Sequence, residues 1–513
     1  MAICLTQAVF QTLYYVHMLQ LNSYRPERYR KWMVDHDDRV LPRYRFIEAV
    51  PLALLMMYGQ KNSTVALIAY IAAVLATLIC AICDRPRKAK KPLVYTPRVK
   101  RLLATIAVLL IALLTATGLL NAQWTGGLLL LVTLCPVLLV HLANLINLPM
   151  ENHINNGFVK DAKRILSQMN NLTVIGITGS YGKTSAKNFL TALLSAKYNV
   201  LMTPESYNTP MGVVRTIRER LRASHEIFVC EMGAKNKGDI KEICDIVHPT
   251  HGMITAIGEQ HLETFKTLET IIDTKFELID ALPEHGIAFL STDNEHIAAR
   301  PVEGNRVVSY GLKDGAGYSV SGISVDEYGS CFTVAAPDGE TCTYTTRLLG
   351  AHTIQNLVGC IAVAHELGMT LAEMKQPIRQ MKPVPHRLQL LPNGYIDDAY
   401  NSNPAGFRCA LDVLGAMKDT RRILVTPGMV ELGARQDALN EEIGAYAASR
   451  CDYAVLVGER QAPPIKRGLL SQGFDEDRIF VAFDLHQGLS FVQSLPPVEN
   501  QIVLLENDLP DNF

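Results

Sequence analysis

Neither sign of charge dominates this 513-residue sequence: 49 Lys and Arg face 50 Asp and Glu, a formal net charge of -1. That balance gives no overall electrostatic pull toward nucleic acid or an acidic polymer, so nucleic-acid binding is not expected. A disulfide framework is missing as well. The 11 Cys are scattered, and the only close pair, Cys80 and Cys83, ends an apolar run where two small polarizable side chains pack well. The downstream part is therefore expected in a reducing compartment. No internal repeat or low-complexity tract is present, which argues against a transporter with symmetric halves. The length exceeds one hydrophobic core and implies about three domains.

What is present is uneven. Residues 1–150 carry long apolar runs split by basic segments. Thr64 to Cys83 is uncharged and matches the ~20 residues that cross a bilayer core. Leu102 to Leu120 and Gly126 to Leu148 repeat the pattern, with Asn121 to Thr125 and its Trp124 as a loop between them. Ile3 to Leu21 and Phe46 to Tyr58 are lesser candidates. Arg85 to Arg101 holds eight Lys or Arg and no acid, and Asn22 to Arg45 is also rich in Arg. Both segments are expected on the cytoplasmic side. The expectation is a multi-pass inner-membrane protein with a helical membrane domain over 1–150 and everything after Met150 in the cytoplasm.

The remainder reads as α/β. After a polar linker from Glu151 to Asn171, Leu172 to Thr178 has the apolar, β-branched character of a buried parallel strand. It feeds Gly179-Ser180-Tyr181-Gly182-Lys183-Thr184-Ser185 and a helical pattern from Ala186 to Tyr198. Strand, glycine loop and helix in this order present amide donors and a helix N-terminus to a phosphate. Lys183 would neutralise the β/γ-phosphates of ATP, and the Thr184 hydroxyl would hold Mg²⁺. Thr178 to Ser185 are thus the candidate ATP-binding loop.

The spacing departs from the common G-x-x-x-x-G-K-[ST] pattern. Thr178-Gly179-x-x-Gly182-Lys183-Thr184 instead resembles the loop of the Mur ligases, and the family's further motifs follow in order over most of 172–450. Phe228-Val-Cys-Glu231-Met-Gly-Ala234 resembles the strand-end motif whose glutamate binds Mg²⁺. Thr255 to Phe265 resembles the segment that supplies a metal-site histidine, here His261. Asp273-Thr-Lys275-Phe-Glu277 is similar to the helix whose lysine is carbamylated, which would turn Lys275 into an anionic oxygen ligand for a second Mg²⁺. Gly350 to Gly359 resembles the adenine-contacting motif and makes Asn356 that contact, although the family's first Asn is Thr353 here. His386-Arg387 resembles the hinge whose arginine reaches the nucleotide phosphates. Asp397-Asp398-Ala-Tyr400-Asn401-Ser-Asn403-Pro404 resembles the motif that would place Asp398 on ribose, with Tyr400 and Asn401 lining the nucleotide site.

By this resemblance the chain is an ATP-dependent, ADP-forming acid–amino-acid ligase. Lys183, Glu231, His261 and Lys275 would be catalytic, and ATP and two Mg²⁺ are required. A central ATP-binding domain is expected over 151–384 and a Rossmann-like domain over 385–513, with strands at Ile423 to Thr426, Ala454 to Val457, Ile479 to Ala482 and Ile502 to Leu505. Tyr400 to Pro404, Ser206 to Gly212 and Glu431-Leu432-Gly433 point to the branch that adds D-alanyl-D-alanine to a muramoyl tripeptide. Asn208, Thr209 and Asn403 would then face substrate. Departures concern specificity. Apolar runs replace the UDP-sugar domain, Asn440 stands where a histidine is usual, and an acidic tail from Glu506 replaces a Lys-Gly-Ser motif. A small-molecule or lipid-linked cell-wall precursor is the expected substrate, with other cell-wall enzymes as partners. The alternatives are a membrane-tethered poly-γ-glutamate ligase, an ATP-driven transporter or channel regulator, and a noncatalytic scaffold of a cell-wall complex.

Overall fold

A computed structural model of the chain describes residues 2–36, 63–83, 92–120, 135–205, 207–258, 262–313, 315–326, 329–400, 402–430, 432–458 and 461–508, with isolated positions between 40 and 54. Two compact units divide it, one up to Gly157 and the other from Phe158 onward.

The first unit is helical, with helices Ala2–Leu21, Pro26–Asp35, Ser63–Cys83 and Pro97–Leu120 and the start of Pro136–Ser167. Its core joins Tyr15, Tyr29 and Trp32 to Leu102, Ile106 and Val140. The expectation of a multi-pass membrane domain is not met. Among the described residues one helical stretch, Pro97–Ala116, is long and apolar enough to cross a membrane, and a core helix or a signal sequence offers the same. Of the expected span from Gly126 to Leu148, residues 126–134 lie outside the described residues. The helix that begins at Pro136 turns inward polar side chains that find partners within the unit. Thr105 Oγ1 donates to Asn147 Oδ1 at 2.8 Å, and Asn144 Nδ2 donates to the Tyr24 carbonyl at 3.1 Å. Ala2–Leu21 likewise buries Gln11, Thr12 and His17, side chains costly to leave in hydrocarbon. The segment read as a linker after Glu151 is helical through Ser167. The loop with Trp124, most of Phe46 to Tyr58 and residues 85–91 of the basic segment lie outside the described residues.

The second unit contains two six-stranded sheets. The first is wholly parallel, in the order β2(Val200–Met202), β3(Ile227–Glu231), β1(Thr173–Thr178), β4(His251–Ile254), β5(Ile287–Ser291), β6(Arg306–Tyr310). Because both faces are covered, β1 and β3 are buried apolar runs rather than alternating ones. One face packs on Phe189, Leu190 and Leu193 of helix Lys183–Leu194 and on Leu357 and Ile361 of helix Ala351–Glu366. The other packs on Ile217, Ile243, Phe276 and Leu278. Each such side chain contributes ~1.5–3 kcal/mol by leaving water. Helix Lys183–Leu194 starts three residues before the apolar pattern suggested, because Gly182 at φ 78° turns the chain directly into it.

A three-stranded antiparallel sheet follows, β7(Ser319–Asp326), β8(Gly329–Ala335), β9(Thr341–Thr346), which sequence reading did not anticipate. The second large sheet runs β10(Gln389–Leu390), β11(Tyr395–Asp398), β15(Gln501–Glu506), β12(Arg421–Thr426), β13(Tyr453–Val457), β14(Ile479–Ala482), with β10 alone antiparallel. The last four contain the expected strands; β10 and β11 are additions.

Candidate nucleotide site

Strand β1 is followed on one side by β3 and on the other by β4, so strand order reverses around it. A crevice is expected at the carboxyl ends of the strands at such a point. The loop Gly179–Gly182 lies there, and Glu231 is the last residue of β3, paired in register with Ile177. The loop's shape needs glycine at two places. A Cβ on Gly179 (φ 150°) would lie 2.2 Å from Thr255 Oγ1, and one on Gly182 (φ 78°) 2.5 Å from Asn356 Nδ2. Ser180 is tied by hydrogen bonds from its Oγ to the Gly258 carbonyl (3.0 Å) and from its N–H to the Ala256 carbonyl (2.7 Å). Thr178 is buried, its hydroxyl donating to the Met232 carbonyl at 2.9 Å. That bond gives it a structural role in joining β1 to the end of β3.

Lys183 curls over this loop, its Nζ donating to the carbonyls of Gly179 (2.6 Å) and Ser180 (3.0 Å). Burial lowers its pKa to about 8; Glu231 opposes that shift and Arg387 adds to it. Thr184 Oγ1 donates to Glu231 Oε1 at 3.1 Å, and Asn208 Nδ2 donates to the same oxygen at 3.0 Å. The other oxygen, Oε2, has the Lys187 ammonium 3.0 Å away without a hydrogen bond, so that contact is charge attraction alone. Both side chains of the Lys187–Glu231 pair are 1% exposed. Lys187 was not singled out from the sequence, although its position four residues after Lys183 puts both on one helix face.

Lys275 is buried on helix Leu268–Asp280, with no carboxylate within 4.0 Å among the described residues and the Phe265 ring 5.9 Å from its Nζ. Burial, then repulsion from Lys183, hold its pKa well below that of an ordinary lysine. Glu277, two residues on, accepts from the backbone N–H groups of Gly238 (2.7 Å) and Lys241 (2.9 Å), so it fixes the start of helix Asp239–Val247. His261 and Asn401 lie outside the described residues.

A cavity of about 380 Å³ opens beside the loop. Tyr181, Gly182, Ser185 and Asn356 line it from the first sheet, and Arg387, Asp398 and Asn403 from the second. The Arg387 guanidinium sits 4.5 Å from the centre of the half-exposed Tyr400 ring, an arrangement that orients both. Two expected substrate contacts are helix caps: Thr209 Oγ1 accepts from Gly212 N–H (3.3 Å) and Asn403 Oδ1 from Gly406 N–H (2.8 Å). Asn440 is fully buried. Its Oδ1 accepts from Met429 N–H at 2.9 Å, and its amide donates to the Met429 and Gln436 carbonyls. Glu506 is not the start of an exposed acidic tail; it is a buried strand residue beside Asp398.

Fold and loop together define an α/β protein with a P-loop-like turn beside a cavity lined by residues that flank both large sheets. Residues 177–364 match the Mur ligase middle domain, and residues 386–505 match the Mur ligase, glutamate ligase domain. The chain therefore belongs to the Mur ligase family, whose two domains take in more than half of it. The UDP-N-acetylmuramoyl-tripeptide--D-alanyl-D-alanine ligase of Escherichia coli (strain K12) is 33% identical over 295 residues, 56% of this chain and 65% of that protein. The Haemophilus influenzae enzyme of the same name is 33% identical over 294 residues, 56% and 63% of the two chains. Among solved structures, MurF from Acinetobacter baumannii superposes with a TM-score of 0.63 at 25% identity, covering 69% of this chain and 77% of that one. MurF ligase from Thermotoga maritima in complex with ADP gives 0.62 at 25% identity, covering 69% and 80%. This chain spans less than two thirds of the length of the two curated relatives.

Proposed function

We propose that the chain is an ATP-dependent amide ligase that joins D-alanyl-D-alanine to the terminal carboxylate of a muramoyl tripeptide. One observation carries the reading: Lys183, Thr184 and Glu231 converge at the strand ends beside a cavity whose far wall supplies Arg387 and Asp398. In the reaction a carboxylate oxygen attacks the γ-phosphorus and ADP leaves. The amine nitrogen then attacks the acyl carbon, phosphate leaves, and the amine proton goes to solvent. Bringing two anions together needs charge neutralisation and in-line placement. Lys183 supports that role as a buried cation beside the phosphate loop, released from the loop carbonyls when phosphate oxygens replace them.

The donor set fits magnesium. Thr184 and Glu231 offer hard oxygens to one ion, with Glu231 Oε2 set against the Lys187 ammonium. Lys275 fits a second ion only as a carbamate. An isolated buried lysine with a lowered pKa is the form that reacts with CO₂, and His261 would complete the set. Magnesium, when bound, supplies charge neutralisation at the transferring phosphoryl group. The domain division at 151–384 and 385–513 belongs to the same proposal, with Arg387 and Asp398 gripping nucleotide as the C-terminal domain closes and excludes water. Asn356 would meet the adenine, while Asn208 acts through Glu231.

Measuring ADP release by the full chain with ATP, UDP-linked muramoyl tripeptide and D-alanyl-D-alanine tests the proposal. Release should require all three and disappear in Lys183→Ala. Release with glutamate alone would favour a polyglutamate ligase, and no release with any carboxylate–amine pair would reject ligation.

A further inference from the structure

Strands β11 and β15 pair in parallel so that Asp398 and Glu506, the last residue of each, stand side by side. In-register neighbours on parallel strands send their side chains to the same face of the sheet, so the two carboxyl groups share one side of it. Glu506 is 1% exposed, and Ser402 Oγ donates to its Oε1 at 2.6 Å. Its Oε2 is buried and meets no N–H or O–H donor. Asp398 Oδ1 accepts from the Leu388 N–H at 3.1 Å and the side chain lines the cavity. Two ionised carboxylates side by side, each an acceptor only, would leave that oxygen unsatisfied and add like-charge repulsion.

We infer that one proton is held between Asp398 and Glu506, and that protonated Glu506 is a positioning residue which donates to Asp398 and fixes it on the nucleotide cavity. The surroundings suit a single negative charge. Arg387 attracts both groups, but no cation lies within 4.0 Å of either among the described residues. Asp397 adds repulsion and is itself held by His386 Nδ1 at 2.8 Å. The Cys409 thiol on helix Pro404–Ala416 faces the pair as a neutral group, burial pushing it up to about 12. Burial and then the Asp398 charge raise Glu506 well above the usual carboxylate range, whereas burial lifts Asp398 to about 6. Asp398 already accepts a backbone N–H and opens on the cavity, whereas Glu506 is sealed with one oxygen lacking a donor, so Glu506 is the member that keeps the proton.

The positioning half rests on the nucleotide reading above, and the proton half does not. In the ligand-free full chain, unfolding should be followed from pH 5 to 8 for wild type and Glu506→Gln, whose amide donates without titrating. The folded wild type binds a proton that the unfolded chain has released, so wild type should lose stability relative to Glu506→Gln as pH rises from the unfolded glutamate value toward the folded one. The ratio of their unfolding constants should change by up to about tenfold per pH unit. A ratio independent of pH overturns the shared proton. ADP binding at pH 7 should be weakened at least tenfold in Glu506→Ala and stay within about threefold of wild type in Glu506→Gln. Wild-type affinity in Glu506→Ala, or equal losses in both variants, overturns the positioning role. Should Glu506→Ala fail to fold, the loss or retention of binding by Glu506→Gln decides it. Absence of ADP binding by wild type would reject the nucleotide reading and leave the unfolding test standing.

Discussion

Replacing Lys187 by methionine tests how the site holds its acid. Lys187 and Glu231 are each 1% exposed and 3.0 Å apart, and Lys187 Nζ also donates to the Glu205 carbonyl at 2.5 Å. Methionine keeps most of the volume and removes the charge, so the cavity term is small and the electrostatic one dominates. The Glu231 carboxylate would retain donors from Thr184 and Asn208, but it would lose the cation in contact with it and keep only the attraction of Lys183, which the loop carbonyls hold. Breaking a buried pair from one side costs ~3–5 kcal/mol. Taking out both partners, in Lys187→Met with Glu231→Leu, should recover most of that loss, because two apolar side chains of similar volume need no solvation. Urea unfolding of wild type, the two single variants and the double gives the coupling energy directly. A loss below ~1 kcal/mol for Lys187→Met, or additive losses in the double variant, would refute the argument that this ion pair holds the acid in place.

Other outcomes follow from the same geometry. Lys183 titrates near pH 8 in the free protein because burial disfavours its charge. ATP affinity should therefore be about tenfold weaker at pH 9 than at pH 7 and flat below pH 7, as calorimetry would register; an unchanged affinity at pH 9 speaks against the assignment. Gly179→Ala places a Cβ 2.2 Å from Thr255 Oγ1 at a φ of 150°, and should cost ~1–3 kcal/mol in strain while abolishing nucleotide binding. Native mass spectrometry in bicarbonate buffer should detect one added CO₂ on wild type and none on Lys275→Arg; equal masses would remove Lys275 from the second metal site. Asn440→Ala strips both the N–H and the carbonyl of Met429 of their partner, so thermal unfolding should show a loss of ~1–3 kcal/mol with the nucleotide loop intact.

Much of this site is legible in sequence because its chemistry is local. The glycine loop, Lys183 and Thr184 occupy consecutive positions, and the strand–loop–helix order that makes them useful is set by a buried apolar run on one side and a helix face on the other. Glu231 is legible for the same reason, as the polar residue ending a buried strand. Legibility fails where meaning depends on what lies opposite. Ser63–Cys83 and Pro136–Ser167 contain apolar runs of similar composition to a membrane span, and only the pairing of Asn144 and Asn147 with Tyr24 and Thr105 shows that one of them carries polar contacts inside a helical core. Thr341–Thr346 sets exposed threonines against buried Cys342 and Tyr344, but the buried Thr346 breaks the alternation and leaves too short a period-2 run to read by hydrophobicity. Glu506 is the sharpest case. Beside Asn507 and Asp508 it reads as part of an acidic end, yet β15 inserts between β11 and β12 and delivers it to Asp398, 108 residues away in sequence. Burial there disfavours its charge first and the Asp398 carboxylate second, whereas the same side chain facing water would ionise freely.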